Sequence, residues 1–169
     1  MIQVYTGNGK GKTTAALGLA LRACGHGRKV AMIQFMKGDI EYGEVKIAPK
    51  IPGFELHQFG LPTFVKKGAP SKKDLLLARE GFAFAQKIIA EGNHDLVILD
   101  EINVAVDYGL IPLNDLSSLL DSVPDEMEIV LTGRYAHEKI IARADLVTEM
   151  REIEHPYQKG VEAREGIEY

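Results

Sequence analysis

The sequence predicts an α/β fold in which helices cover both faces of one mostly parallel sheet, and three observations predict it. Short apolar runs recur along the chain, of the kind buried on both sides in a parallel sheet. Helical periodicities separate them, and strand–helix alternation demands right-handed crossovers. The first run also leads through a glycine-rich turn directly into an Ala/Leu-rich helix. At 169 residues the chain amounts to one domain, residues 1–169, long enough to bury most of the apolar surface of its unfolded form.

In chain order, Ile2 to Tyr5 is the first strand, and "TGNGKGKTTAALGLALRA", Thr6 to Ala23, supplies the turn and first helix. Strands are expected at Lys29–Met36, Leu96–Asp100, Glu128–Thr132 and Leu146–Met150, each a β-branched or apolar run of strand length. The longest helix starts at Ser71, where Asp74 stands three residues on as in a capping pair, and stops at Gly92. Shorter helices are expected within Pro112–Val123 and Ala136–Ala144. From Lys37 to Pro70, Gly and Pro break the rhythm; Phe54 to Gly60 reads as one more strand, and the rest as two substrate-facing loops. No repeats, low-complexity segments or linkers interrupt the pattern.

The glycine turn carries the first chemistry. A strand–turn–helix junction points successive backbone N–H groups into one concavity, with the positive end of the helix behind them, which suits phosphate. Gly7, Gly9 and Gly11 permit positive φ and close approach, Lys12 adds a mobile charge, and Thr13 offers a hydroxyl to Mg²⁺. Lys10 and Thr14 thicken the polar lining. The phosphate-loop pattern G-x-x-x-x-G-K-[ST] is met at Gly11, Lys12 and Thr13, although Thr6 takes the place of its first glycine. The fold expected is therefore of the phosphate-loop NTPase type.

Two further strand ends add to it. "DLVILDEIN" delivers Asp100 and Glu101 to the end of a buried strand, where phosphate-loop proteins keep metal and water ligands. "IVLTGR" places Arg134 after another strand, as a guanidinium for phosphate or as a surface ion pair. Arg22 on the first helix carries the same two readings.

Other chemistries are argued against. A net charge of −4 gives no general attraction to nucleic acid. The lone Cys24 reads as a small buried hydrophobe and fits a reducing compartment. The five histidines are scattered without zinc spacing and read as solvated or structural, and no serine-nucleophile signature occurs. Without a leader pattern or an apolar run near ~18 residues, no membrane partner is expected and the setting is expected to be cytoplasmic.

The stretches "TGNGKGKTTAALGLALRACGHG", "VAMIQFMKG", "LVILDEIN", "IVLTGR", "ADLVTEM" and "GVEAREGIEY" together resemble the ATP:corrinoid adenosyltransferases of the cobalamin-synthesis type, essentially from end to end. The resemblance implies transfer of the 5′-deoxyadenosyl group of ATP to the cobalt of a reduced corrinoid, with release of triphosphate. It implies a nucleotide lying in reversed sense, so that C5′ rather than the γ-phosphate meets the nucleophile. Gly7, Asn8, Gly9, Lys10, Gly11, Lys12, Thr13 and Thr14 would hold the triphosphate; Thr13 and Glu101 would serve Mg²⁺ (or Mn²⁺), with Asp100 in support. Lys12, Glu101 and Arg134 would be catalytic. An electron donor such as a flavodoxin-type reductase and a homodimer are implied as partners.

The chain departs from that pattern in two places. It begins at the first strand where family members commonly carry an extension, so weaker closure is expected. It has "GLPTFVKKG", Gly60 to Gly68, and no tryptophan, where many members have Gly-Phe-Thr-Trp, which makes Phe64 the candidate corrinoid-facing aromatic or else a core anchor for its loop. Two other classes stay open on the residues alone: a phosphate-loop kinase or NTPase acting at the γ-phosphate, and a nucleotide-gated binding subunit.

Overall fold

A computed structural model describes residues 1–169. Six strands, β1 (Ile2–Thr6), β2 (Val30–Phe35), β3 (Phe54–Phe59), β4 (Leu96–Asp100), β5 (Glu128–Thr132) and β6 (Leu146–Glu149), form one all-parallel sheet in the order β3-β2-β4-β5-β1-β6. The helices are α1 (Lys12–Gly25), α2 (Gly43–Ile47), α3 (Lys72–Glu91), α4 (Ile102–Asp107), α5 (Leu113–Asp121) and α6 (Glu138–Ile141). None is long and apolar enough to cross a membrane.

Period-2 alternation sorts the central strands between two cores. Ile33, Leu99 and Leu131 face a larger core built with α3 to α6, while Met32, Ile98 and Val130 face a smaller one built with α1. All six residues of β2 and all five of β4 are buried, as continuous apolar runs require when helices cover both faces. Ala16 and Ala20, one helical turn apart, are the buried face of α1, and their small side chains let the helix lie close to the sheet.

The Ser71–Asp74 capping box forms in full, Ser71 Oγ accepting from the Asp74 N–H at 3.1 Å and Asp74 Oδ2 from the Ser71 N–H at 2.8 Å. Such a cap contributes about 1 kcal/mol. Gly92 closes α3 with a φ of 64°. A glycine inside α3 has a packing reason: a Cβ on Gly81 would stand 2.8 Å from the Phe59 ring, so only glycine lets α3 cross the edge strand β3.

Several expectations are corrected. The segment Lys37–Pro70 is not two plain loops around a strand, because α2 and a 3-10 turn at Ala48–Lys50 precede β3. The short α4, directly behind Glu101, had no signal apart from the apolar run it prolongs. The ordered helix at Ala136–Ala144 covers only Glu138–Ile141. The last strand is not buried on both faces: every residue of β6 is exposed, because it is the edge of the sheet and pairs with β1 alone.

Candidate active site

Parallel strands end together at their carboxyl side, where β4, β5 and β1 lie as neighbours about 4.8 Å apart. The Gly7–Gly11 loop, Glu101 and Arg134 therefore meet around one cavity of about 920 Å³, lined by Gly9 to Thr14 on one side and by Phe64 and Val65 on another. That is near the upper end of the ~300–1,000 Å³ common for small-molecule sites. Gly7 and Asn8 are not among the lining residues.

The loop needs its glycines. Gly7 and Gly11 adopt φ of 94° and 118°, and a Cβ on Gly9 would fall 2.7 Å from the carbonyl oxygen of Arg151. The close approach exists because the Gly9 N–H donates to Met150 O at 2.7 Å, which stitches the loop to the chain after β6. Gly11 stands at the N-cap of α1 and offers no side chain, and the first turn holds no acidic residue, so the leading N–H groups of the helix stay free for an anion. Lys12 is buried and arches over the loop, its Nζ donating to Gly7 O at 2.8 Å and Gly9 O at 2.6 Å. Burial pulls its pKa below the ordinary lysine range; Glu101 opposes this and Arg134 adds to it.

Behind the loop lies a polar knot that the sequence reading only half foresaw. Asp100 has no exposed surface and accepts four hydrogen bonds: at Oδ1 from Thr13 Oγ1 (2.9 Å) and Thr132 Oγ1 (2.6 Å), at Oδ2 from Gln34 Nε2 (3.2 Å) and Lys37 Nζ (2.7 Å). Thr132, Gln34 and Lys37 were missed. The signal for Lys37 was available, since "QFMKG" sets a lysine just past a fully buried strand, as "LVILDE" sets its carboxylates.

Glu101 takes a left-handed φ of 61°, a conformation costing a non-glycine residue about 1–3 kcal/mol and typical of functional positions. Its N–H donates to Thr132 Oγ1 at 3.0 Å, and Gly133 makes room for its carboxylate, for a Cβ there would lie 3.2 Å from Glu101 Oε2. Burial, then the charge of Asp100, raises the Glu101 pKa, with Lys37, Lys12 and Arg134 pulling the other way. A folded-state pKa above its unperturbed 4.5 means stability that is full below 4.5 and declines as pH rises through the folded value. Glu101→Gln in nucleotide-free protein is thus expected to melt higher than the parent at neutral pH and equally with it in acid. Calorimetry showing a lower Tm at neutral pH contradicts this.

The remaining predicted residues divide. Arg134 is exposed at the cavity and forms no ion pair, so its surface-pair reading is not what the structure shows. Arg22 lies in the last turn of α1 and is not among the residues that line the cavity, although Leu21 beside it is, and it too lacks an ion pair. Phe64 is fully exposed at the cavity wall, which removes the core-anchor reading; the neighbouring Val65 packs on the larger core instead. Lys67, near the cavity wall, is tied down by Asp107 at 2.5 Å and stands over the Tyr108 and Tyr135 rings. Cys24 is half-buried and burial pushes its thiol up, in keeping with a packing role.

The carboxyl terminus folds back over the loop, which nothing in the sequence pattern announced. Lys10 Nζ donates to Ile167 O at 3.1 Å and to Glu168 Oε1 at 2.7 Å, and Tyr169 lies beside Tyr42 with ring centroids 6.4 Å apart. Hydrogen bonds from Arg164, then Lys10, push the Glu168 carboxyl down to about 2. The anchorage this group provides is complete above its unperturbed 4.5 and is lost as pH falls through about 2. Trimming of the tail by a carboxypeptidase should accordingly not quicken between neutral pH and pH 4.5, whereas salt or Glu168→Gln should quicken it. Faster trimming at pH 4.5 in the parent would show that another group holds the tail.

A helix end left open for anions, placed at the carboxyl side of a parallel sheet, makes this a phosphate-loop protein of the NTPase type. KaiC-like protein PH0186 of Pyrococcus horikoshii OT3 shares the fold, with a TM-score of 0.51 and 16% identity over 88% of this chain and 71% of that one. The chain belongs to the ATP:corrinoid adenosyltransferase family: the family described as "ATP:corrinoid adenosyltransferase BtuR/CobO/CobP" matches residues 1–169. It is 38% identical to the corrinoid adenosyltransferase of Escherichia coli K12 and 36% identical to corrinoid adenosyltransferase CobA of Salmonella typhimurium LT2, in both cases over all of this chain and 85% of the relative. The corrinoid adenosyltransferase of Pseudomonas aeruginosa PAO1 is 32% identical across all of this chain and 83% of its own length.

Proposed function

We propose that the protein transfers the 5′-deoxyadenosyl group of ATP to the Co(I) centre of a reduced corrinoid, cob(I)alamin or cob(I)yrinic acid a,c-diamide, and releases inorganic triphosphate. The observation that carries this reading is the two-sided cavity: cationic and N–H groups for a triphosphate face an exposed aromatic, Phe64, across one space. The electron pair of Co(I) forms the Co–C5′ bond, and the pair of the breaking C5′–O bond leaves with the triphosphate. Co(I) has no proton to lose, so the site requires no general base; it must stabilise the departing charge.

This chain's residues are suited to that task. The free N–H groups of the loop and α1, with Lys12, Lys10 and Arg134, would receive the triphosphate, and Lys12 would leave the carbonyls it now bonds to do so. Thr13, Glu101 and Asp100 present only hydroxyl and carboxylate oxygens, a donor set that fits Mg²⁺ or Mn²⁺. Thr13 and Glu101 would hold the ion with Asp100 in support, and it would supply charge neutralisation on the triphosphate. Holding cobalt and C5′ in line is an orientation effect that draws on the roughly 7–11 kcal/mol available from proximity. The electron donor, such as a flavodoxin-type reductase, and the homodimer belong to the same proposal and rest on the family resemblance; the cytoplasmic setting is proposed with them.

Phe64 would press an apolar face against the lower side of the cobalt and disfavour return of an axial ligand. Phe64→Ala is therefore expected to retain ATP binding and fold, since the side chain supports nothing in the core. Adenosylation should slow when the corrinoid enters as Co(II) and change much less when it is supplied chemically as Co(I). Equal loss with both substrates removes Phe64 from this role.

A further inference from the structure

The cavity contains one cation that the proposed chemistry does not use. Lys37 Nζ lies 2.7 Å from Asp100 Oδ2 and 3.4 Å from Thr13 Oγ1. A phosphate-loop hydroxyl and the carboxylate at the end of an apolar strand are the oxygens between which such proteins hold a divalent ion. An ammonium already stands at that corner. Its aim is fixed by backbone: Met36 takes a left-handed φ of 59°, and a Cβ on Gly38 would lie 2.2 Å from Gly60 O, so the turns after β2 and β3 are pressed together around Lys37. Burial works against the charge on Lys37, but Asp100, with Glu101 and Glu44 nearby, outweighs it and raises the pKa.

We propose that Lys37 is a built-in substitute for the divalent cation: in nucleotide-free protein its ammonium neutralises buried Asp100 and occupies the corner beside Thr13, and it yields that corner when the metal arrives with nucleotide. Bare Mg²⁺ is thereby kept out, because it would have to expel a tethered cation and shed water to enter. Metal and nucleotide enter together, and the displaced ammonium is left beside the incoming triphosphate. The inference rests on the Mg²⁺ assignment made above, not on the identity of the group transferred.

The test uses Mg²⁺ alone with nucleotide-free protein, by calorimetric titration and by melting in EDTA and in millimolar Mg²⁺. The parent should bind Mg²⁺ too weakly to titrate at millimolar concentration and show the same Tm in both. Lys37→Met should melt lower in EDTA, recover in Mg²⁺, and bind the ion at least about tenfold more tightly than the parent. Lys37→Arg should exclude Mg²⁺ like the parent, and Lys37→Met combined with Asp100→Asn should fold without responding to it. The proposal is overturned if the parent itself binds Mg²⁺ readily, if folded Lys37→Met does not bind it, or if unfolded Lys37→Met is not rescued by it. Neither ATP nor corrinoid is present, so a protein that proved to be a hydrolase would give the same outcome, and the two readings fail separately.

Discussion

Lys12→Ala should lose about 10²-fold or more in turnover, with a higher KM for ATP, while keeping its fold. Lys12 is the buried lysine whose ammonium arches over the loop, and it bonds only loop carbonyls, so its removal deletes charge without opening the core. The loop shape survives because it is set elsewhere, by the positive φ of Gly7 and Gly11 and by the Gly9 N–H bonded to Met150 O. The leaving triphosphate is thus deprived of a pre-positioned cation in a desolvated site, where such a donor is worth about 3–4 kcal/mol. Single-turnover rates with saturating ATP separate the two effects. A near-normal rate there would mean that the loop binds nucleotide without acting on the leaving group.

Asp100→Ala should have the largest effect on stability. The carboxylate is fully buried and gathers Thr13, Thr132, Gln34 and Lys37, so its loss strands an ammonium and three polar groups at the end of β4. Breaking a buried pair from one side costs about 3–5 kcal/mol, a large fraction of the ~5–15 kcal/mol by which a domain is stable. For a chain of this size that corresponds to a fall in Tm of roughly 10 °C, without any nucleotide present. Asp100→Asn, which keeps the shape and part of the bonding, should lose less. If Asp100→Ala melts like the parent and only its Mg²⁺ dependence changes, Asp100 is a ligand and not the organiser of the knot.

Legibility in the sequence followed physical range. The central strands were readable because burial on both faces writes a continuous apolar run: Glu128–Thr132 and Leu96–Asp100 fall where expected. The α3 caps were readable because each acts locally, Ser71 on Asp74 three residues on and Gly92 on Ile89 three residues back. The same apolar rule misled at Leu146–Glu149, since strand composition does not say which strand becomes the edge. Lys12, Thr13 and the paired carboxylates were legible from their spacing and their place at strand ends. Gln34 and Thr132 were not, because their meaning arises only when β2, β4 and β5 align and Asp100 needs four donors at once; Lys37 had its place past a strand end as a signal, but its partner is equally set by that alignment. Arg22 shows the converse: a plausible charge on the correct helix, but off the face whose Leu17 and Leu21 line the cavity. The docking of Glu168 on Lys10 spans 158 residues and leaves no local pattern at either end.

The most direct measurement of the central claim is the identity of the phosphate product formed from ATP, with and without a chemically reduced corrinoid. Adenosyl transfer predicts triphosphate, formed in step with the alkylated corrinoid and only when the reduced corrinoid is present. ADP with inorganic phosphate, formed whether or not the corrinoid is supplied, would contradict it and place the reaction at the γ-phosphate.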